Sequence, residues 1–286
     1  MSIFEEVKNK FVLPNANSDW EEYRKMLTDT VIRYAEKCHA KSVSIIGAGH
    51  CNDIDILRLS QAFDKIYFVD YDLEAMNEAV GRNLKNGNEK IETRNVSLTG
   101  FSEKDISDFY DNVIRDIRLC GRNINKDSYV RIVSQRMDAL EAKTTNLHDH
   151  LASVLPKSDI TVCNGVFSQL FSGICFFINS CSASLLELVP DAISITMMVE
   201  ERLKSLNDKV VPVITEKIRE SANEYSIFGN EHSETKPVEG ACQCIREISA
   251  SDNICEEFKT VWDFNMNEDV KYEMLIQIVA LKNDPQ

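Results

Sequence analysis

One short stretch, from Val43 to Asp70, restricts the fold more than any other part of this sequence. It begins with an apolar run that stops at Gly47-Ala48-Gly49, and it ends with a second apolar run, Ile66–Val69, directly before Asp70. Short apolar runs bounded by glycine or acidic residues are typical of buried strands, and residues 53–62 between them carry apolar side chains at helical spacing. The stretch therefore predicts a βαβ unit of a parallel sheet.

Each part of this unit suits the binding of a nucleotide-like ligand. Glycines let the backbone turn sharply and approach a ligand without a Cβ, and the helix beyond them is expected to offer unpaired N–H groups at its N-terminus. An acidic side chain at the tip of the second strand, here Asp70, can accept hydrogen bonds from two ribose hydroxyls. Dinucleotide sites and S-adenosylmethionine sites share these features.

Two details separate the two ligand classes. Asn52 stands where the dinucleotide fingerprint G-x-G-x-x-G has its third glycine. Near the end of the chain, residues 258–262 and 272–281 form two β-rich runs separated by the polar segment 265–269, which predicts a terminal hairpin. A dinucleotide domain normally continues in parallel strands. Both details favour S-adenosylmethionine, with an NAD-dependent oxidoreductase as the alternative.

Further apolar segments predict the rest of the sheet. Asp72 is expected to cap a helix, and the Gly87-Asn88 turn leads to a third strand at residues 91–98. Residues 160–163 and Ala192–Val199 predict a fourth and a fifth strand. Together with the hairpin, these segments predict an α/β fold with a Rossmann-like, doubly wound, mostly parallel sheet of seven strands.

The N-terminal segment predicts a helix. Ser18 and Glu21 have the spacing of a capping box, so the helix is expected over residues 18–38. One face of this helix carries large apolar side chains at helical period: Trp20, Tyr23, Leu27, Val31 and Tyr34. We expect this face to pack against the sheet, and lining a cofactor pocket is the alternative.

The whole chain, 1–286, is expected to form a single domain. Its parts are a helical segment at residues 1–40, a cofactor-binding βαβ region at 41–99, a helical insertion at 100–155, and the remaining sheet and substrate-side segments at 156–286. The sequence shows neither a signal peptide nor an apolar run long enough to cross a bilayer. We therefore expect a soluble, cytoplasmic protein without a membrane partner.

Three motifs resemble those of class I S-adenosylmethionine-dependent methyltransferases. Residues 43–49 resemble the first motif of that family, Phe68–Asp72 the acidic tip of its second strand, and Ser158–Leu170 its fourth-strand motif. The first motif continues as Gly-His-Cys-Asn-Asp at residues 49–53, and the fourth-strand motif contains Ser-Gln-Leu at residues 168–170. Both forms resemble those of a bacterial subgroup whose substrates are unassigned. The resemblance implies S-adenosyl-L-methionine as the cofactor and methyl transfer as the reaction.

The resemblance also implies which residues bind the cofactor. The glycine turn would approach the methionine part, Asp70 would hold the ribose, Tyr71 would flank the adenine, and Asn164 would lie near the sulfonium. The family often has an acid at the end of the third strand, where this sequence has Ser97. The complete predicted set is Gly47, Ala48, Gly49, Asn52, Asp53, Asp70, Tyr71, Ser97, Asn164 and Gly165.

Methyl transfer is an in-line displacement, so a base is needed only when the nucleophile must lose a proton. Glu200 and Glu201 are candidates because they follow the predicted fifth strand, and substrate sites of open α/β sheets lie at the carboxyl ends of strands. His232, His148 and His150 are further candidates. A non-catalytic cofactor-binding protein is the remaining alternative, because none of these bases is convincing.

Charge and cysteine content limit the partners. A formal net charge of −14 opposes binding of a nucleic-acid backbone, and the Asn-Pro-Pro-Tyr motif of base methylation is absent. We therefore expect a small-molecule acceptor with an O or N nucleophile, and a homodimer stays open. Nine cysteines are expected to be reduced thiols, and Cys242 and Cys244 alone are weak support for zinc, so we expect no metal.

Overall fold

The computed structural model describes residues 2–84, 89–233, 235, 238–251 and 253–281. The chain divides into two units, which are described separately. The helical unit consists of Met1–Val12, Thr99–Leu147 and Gln169–Val210, and the sheet unit consists of Leu13–Leu98, His148–Ser168 and Val211–Gln286. The single domain stays a prediction, because this division does not test whether either unit folds alone.

All strands found in the described residues belong to the sheet unit. They are β1 (Ser42–Ile46), β2 (Lys65–Asp70), β3 (Ile91–Asn95), β4 (Ser158–Asn164), β5 (Ala222–Glu231), β6 (Ile254–Asn265) and β7 (Val270–Ala280). They form one sheet of seven strands in the order β3-β2-β1-β4-β5-β7-β6. Strands β1 to β5 are parallel, whereas β7 is antiparallel to β5 and to β6. The predicted Rossmann-like sheet with a C-terminal antiparallel hairpin is therefore confirmed.

The helices are distributed over both units. In chain order they are α1 (Ile3–Lys8), α2 (Ala16–Asp19), α3 (Glu21–Cys38), α4 (Ile56–Ala62), α5 (Leu73–Asn83), α6 (Glu103–Cys120), α7 (Lys126–Glu141), α8 (Leu147–Val154), α9 (Ser172–Ser184), α10 (Ala192–Ser221) and α11 (Glu239–Ser249). Helices α8 and α10 begin in the helical unit and end in the sheet unit. Among the residues described, no helix combines the length and the apolar character needed to cross a membrane.

Helix α3 is the predicted N-terminal helix, with a different start. It begins at Glu21, and Trp20 at its N-cap makes no capping hydrogen bond with its side chain. Ser18 Oγ instead donates to the carbonyl of Asn15, at 2.9 Å, so the predicted capping box is wrong. The buried side of α3 contributes Leu27 and other apolar residues to a core shared with the sheet, as expected.

The predicted fifth strand at 192–199 is wrong, because these residues open helix α10. The buried side chains of this segment recur every three or four residues: Ala192, Ile195, Val199, Leu203, Leu206 and Val210. Ile193 and Met197 between them are exposed. This spacing is the stripe of an amphipathic helix, and the β-branched residues at its start imitate a strand. The fifth strand is instead β5.

Several boundaries differ from the predictions. The helix expected over 53–62 begins at Ile56, and the third strand ends at Asn95 rather than at residue 98. Asp72 caps α5 as expected, with its Oδ1 accepting a hydrogen bond from the Ala75 N–H at 3.1 Å. The predicted Gly87-Asn88 turn lies outside the described residues.

The helical unit has an aromatic interior. Tyr110 and Phe177 lie 4.3 Å apart between ring centroids, and Phe109 makes an edge contact with Phe177. The Tyr129 hydroxyl shares a buried hydrogen bond of 3.1 Å with the Ser182 hydroxyl. This unit contains the helices α6 and α7, which were expected in the predicted insertion.

Candidate functional site

The turn after β1 is the first part of the site. Gly47 and Gly49 both have left-handed backbone conformations, with φ of +74° and +46°, but their surroundings differ. A Cβ on Gly47 would lie 2.2 Å from Val166 Cγ2, so the side chain of Val166 fills the space beside Gly47. A Cβ on Gly49 would meet one atom within 4 Å, Asp70 Oδ2 at 4.0 Å. This holds for the described residues, with the chain neighbours of Gly49 left out. Gly49 therefore borders open space.

Asp70, at the tip of β2, is buried, and its Oδ2 lies 4.0 Å from the position that a Cβ on Gly49 would occupy. Its Oδ2 accepts a hydrogen bond of 3.0 Å from the Gly49 N–H, and its Oδ1 accepts one of 2.8 Å from the Asp72 N–H. Burial raises the pKa of Asp70 to about 6, although hydrogen bonds from the backbone N–H groups of Asp72, Gly49 and Tyr71 act in the opposite direction. A carboxylate offers about four lone-pair positions, so about one remains for a ligand beside these three backbone donors. The glycine turn and the acidic strand tip are thus in direct contact.

Two arginines hold the loop that follows the turn. Arg24 of α3 donates to the carbonyl of Asn52 at 2.8 Å. Arg82 of α5 donates to the carbonyl of His50 at 3.0 Å and to the side-chain oxygen of Asn52 at 3.2 Å. The side chain of Asn52, a predicted cofactor contact, therefore faces Arg82.

The N-terminus of α4 is occupied by a side chain. Asp55 is its N-cap, and Asp55 Oδ1 accepts the Arg58 N–H at 3.0 Å. The prediction that this helix offers unpaired N–H groups to a ligand is therefore wrong for Arg58. Since an aspartate already complements the positive end of the helix, an anionic pyrophosphate there would meet a like charge.

Asn164, the last residue of β4, is the centre of a buried polar network. Its Oδ1 accepts a hydrogen bond of 2.6 Å from the Tyr23 hydroxyl, and its Nδ2 donates to Asp53 Oδ2 at 2.7 Å. Gly229 of β5 makes room for this amide, because a Cβ there would lie 2.0 Å from Asn164 Oδ1. Burial, and then the charges of Asp53 and Glu231, raise the pKa of Tyr23 well above its ordinary value. Tyr23 therefore stays a hydroxyl donor.

Aromatic rings form one wall beside this network. Trp262 of β6 stacks on Tyr23 with ring centroids 4.7 Å apart and planes 9° from parallel, and Trp20 meets it edge-on at 4.6 Å. A Cβ on Gly165, which has φ of +63°, would lie 3.0 Å from Trp262 Cζ3. Tyr23 thus packs in the core, as expected, and hydrogen-bonds to Asn164; that it lines a cofactor pocket stays a prediction.

Glu231 ends β5 and was missed by the sequence predictions. It is buried, with 5% of its surface exposed, and its Oε1 accepts a hydrogen bond of 2.6 Å from the Ser168 hydroxyl. Its Oε2 has no hydrogen-bond partner among the described residues. Burial raises its pKa. The signal was available, because the apolar pair Ile227-Phe228 stops at Gly229 just as β1 stops at Gly47.

The residues predicted to contact adenine lie near β2 and β3. Tyr71 follows Asp70 directly, is about half exposed, and accepts a hydrogen bond from the Asn95 side chain at its carbonyl, at 2.6 Å. Ser97 comes two residues after the end of β3.

Ala48, in the glycine turn, is buried, and its backbone N–H donates to the carbonyl of Val69 at 3.2 Å. The roles of Tyr71, Ser97 and Ala48 in cofactor binding stay predictions.

Four of the predicted bases are exposed on helices. Glu200 and Glu201 lie in α10 within the helical unit, so the reason for choosing them, a position after the fifth strand, is gone. His148 and His150 lie in α8, where His148 Nδ1 is 3.2 Å from Asp149 Oδ1.

His232 lies on the other face of the sheet from Glu231. The backbone N–H of His232 donates to the carbonyl of Glu273 at 2.7 Å. The ring Nε2 of His232 is 3.8 Å from the exposed Glu273 carboxylate. Glu231 pairs across the sheet with Met274, the residue after Glu273. Since successive residues of a strand point to opposite faces, His232 is not brought to the Asn164 network.

The nine cysteines are all free thiols. Cys244 is buried and accepts contacts from the Asn230 amide at 3.5 Å and the Thr215 hydroxyl at 3.6 Å, which makes it part of the packing between α11, α10 and β5. Within the described ranges, no three His, Cys, Asp or Glu side chains are grouped so that they could hold a metal ion.

Comparisons with known proteins give low similarities. No protein-family model matches the chain, and no curated protein matches its sequence. Among solved structures, NodS from Bradyrhizobium japonicum WM9, an N-methyltransferase in complex with S-adenosyl-L-homocysteine, is 9% identical with a TM-score of 0.48, over 99% of this chain and 98% of NodS.

Two further solved structures give similar values. TehB from Haemophilus influenzae is 13% identical with a TM-score of 0.46, over 89% of this chain, which spans only 62% of TehB. Magnesium protoporphyrin IX methyltransferase (ChlM) from Synechocystis PCC 6803 with bound SAM is 10% identical with a TM-score of 0.44, over 96% of this chain and 88% of ChlM. Similarities at this level assign neither a family nor an activity to the chain.

Proposed function

We propose that this protein transfers a methyl group from S-adenosyl-L-methionine to a small-molecule acceptor. The observation that carries the proposal is the contact between Gly49 and Asp70, in which the Gly49 N–H bonds to Asp70 Oδ2 at 3.0 Å beside open space. A glycine turn that meets an acidic strand tip suits a ligand with an amino-acid end and a ribose.

The residues present fit this ligand. The remaining lone pair of Asp70 would accept a ribose hydroxyl, and the backbone at Gly49 would lie against the amino-acid part. Asp53, whose carboxylate is held at one oxygen by the Asn164 amide, would accept the ammonium group of that part. When bound, S-adenosyl-L-methionine supplies a methyl group on a positively charged sulfur.

The protein's contribution to the transfer is alignment. Asn164 is fixed at both ends of its amide by Tyr23 and Asp53, and Gly229 leaves the space that this amide needs. An amide held in this way has one orientation, so the carboxyl end of β4 is a rigid border for the reacting groups. Preorganised geometry of this kind can account for much of the rate of a displacement reaction.

The structure gives no support to an NAD site. A dinucleotide pyrophosphate binds at the N-terminus of the helix after the glycine turn, and that place carries the Asp55 carboxylate here. Asn52 at the third-glycine position is bonded to Arg24 and Arg82 through its two oxygens.

Isothermal titration calorimetry tests the proposal. S-adenosyl-L-homocysteine should bind saturably to the wild-type protein, and Asp70→Ala should weaken binding at least about tenfold, because hydrogen bonds to a charged group contribute about 1.5–3 kcal/mol. Asp64→Ala is the matched control, since Asp64 is exposed just before the other end of β2 and should leave the affinity unchanged. Saturable NADH binding without S-adenosyl-L-homocysteine binding would replace the proposal with the oxidoreductase.

A further inference from the structure

Glu231, at the carboxyl end of β5, has a buried carboxylate oxygen that can accept a further hydrogen bond. One carboxylate oxygen is satisfied by the Ser168 hydroxyl at 2.6 Å, while Oε2 is buried and has no partner among the described residues. Glu231 lies on the same face of the sheet as Asn164, because Gly229, two residues earlier, points its open side at the Asn164 amide. This free oxygen therefore belongs to the strand edge that carries the proposed cofactor site.

The group that would satisfy Glu231 is a cation. Burying a carboxylate is costly unless a positive charge or several donors accompany it. Burial raises the pKa of Glu231, and hydrogen bonds from the Ser168 hydroxyl and from its own backbone act in the opposite direction. Both donors are neutral, and in the described part of the chain no Lys or Arg side chain pairs with Glu231. A ligand that carries a positive charge would satisfy this carboxylate.

The walls around Glu231 suit the same kind of ligand. Tyr272 lies two residues before Met274, which pairs with Glu231 across β5 and β7, so Tyr272 and Glu231 are on the same face of the sheet. Burial, followed by the negative charge of Glu231, raises the pKa of Tyr272, and burial, followed by the charges of Asp53 and Glu231, raises the pKa of Tyr23. Trp262, stacked on Tyr23, has an indole N–H that also lacks a partner among the described residues. Aromatic rings attract ammonium groups, and an unpartnered indole N–H suits an acceptor atom elsewhere on the ligand.

We propose that the Glu231 carboxylate binds the amino group of the methyl acceptor, so that the substrate is a basic amine. This inference rests on the proposed function and narrows it to methylation of nitrogen. The bound ammonium group gives one proton to the Glu231 carboxylate. The freed nitrogen lone pair forms the N–C bond to the methyl group while the C–S bond breaks and its electron pair returns to sulfur, so the positive charge moves from sulfur to nitrogen.

Intrinsic fluorescence offers a direct binding assay. The chain has two tryptophans, Trp20 and Trp262, and they meet 4.6 Å apart in this wall. The probes are benzylamine and ethylamine, each with its alcohol counterpart, benzyl alcohol and ethanol, titrated into protein saturated with S-adenosyl-L-homocysteine. The amines should change the fluorescence saturably and bind at least about tenfold more tightly than the alcohols, because the alcohols carry no charge.

Glu231→Gln tests the assigned residue, since it keeps the shape and removes the charge. This variant should weaken amine binding at least about tenfold while it leaves alcohol binding and S-adenosyl-L-homocysteine binding within about twofold. Glu273→Gln is the matched control, because it removes the same charge from the opposite face of the neighbouring strand and should leave amine binding unchanged. Retained S-adenosyl-L-homocysteine binding also shows that each variant is folded.

A second experiment identifies the nucleophile without a chosen probe. The protein is incubated with methyl-labelled S-adenosyl-L-methionine and a bacterial small-molecule extract, of which one half has had its amines acetylated. The label should be on nitrogen in the untreated half, and acetylation should remove the label from primary and secondary amine acceptors. Equal binding of amines and alcohols, no binding of either, or label on an oxygen or carbon atom would overturn the amine assignment. These results leave the proposed function standing, which fails separately if S-adenosyl-L-homocysteine does not bind.

Discussion

The substitution Asp70→Asn should reverse its effect on stability between acidic and neutral pH. Asp70 is 9% exposed, and burial raises its pKa to about 6 from an ordinary 3.8. The folded protein therefore holds this proton more tightly than the unfolded chain. The contribution of protonated Asp70 to the free energy of unfolding is fully present below pH 4. It is lost as the pH rises through about 6, by a total of about 3 kcal/mol.

Asparagine is neutral at every pH and removes this dependence. Its NH₂ group cannot accept the hydrogen bond from the Gly49 N–H or the Asp72 N–H, which costs about 1–2 kcal/mol. Without ligand, Asp70→Asn should thus be less stable than the wild type by about 1–2 kcal/mol at pH 4. At pH 7.5 it should be more stable by about 1–2 kcal/mol.

Urea unfolding followed by circular dichroism at pH 4, 6 and 7.5 measures these differences. Asp64→Asn is the control for a general charge effect, because Asp64 is exposed. A wild-type advantage that stays constant with pH, or that grows toward pH 7.5, would refute the reasoning. Either result would mean that the fold favours the ionised carboxylate.

Two further substitutions test the packing of the site. Gly47→Ala should destabilise the protein by about 2–5 kcal/mol, from the left-handed backbone and the contact with Val166, and Val166→Ala in the same chain should recover part of this loss in urea unfolding. Gly229→Ala should displace the Asn164 amide and cost about 1–3 kcal/mol. In a double-mutant cycle with Asn164→Ala the two costs should not add, because the second substitution removes the atom that the new Cβ meets; additive costs would contradict the geometry.

The part of the sheet from β1 to β2 was predictable because its signals are local. Three signals lie within thirty residues: the apolar run of β1, the Gly47-Ala48-Gly49 turn and Asp70. Each of them indicates the backbone conformation at its own position. Their mutual contact also follows from local rules, since the carboxyl ends of adjacent parallel strands meet at one edge of a sheet. The terminal hairpin was predictable for the same reason, from two β-rich runs around a polar turn.

The region around Asn164 and Glu231 was not predictable in full, because it depends on long-range packing. The start of α10 has the composition of a strand, and only the spacing of its buried residues from Ala192 to Val210 indicates a helix. Because the fifth strand was misplaced, Glu231 was not identified as a strand end, although the apolar pair before Gly229 indicates one. The bond between Tyr23 and Asn164 joins residues 141 positions apart, and no pattern in either neighbourhood indicates it.

The central claim is that Gly49 and Asp70 hold two parts of one adenosyl ligand. A crystal structure of the protein grown with S-adenosyl-L-homocysteine tests it most directly. We predict density for the ligand with a ribose hydroxyl hydrogen-bonded to the Asp70 carboxylate and the homocysteine part against the Gly49 backbone. Ligand bound elsewhere, with the Gly49–Asp70 space holding only water, would contradict the claim.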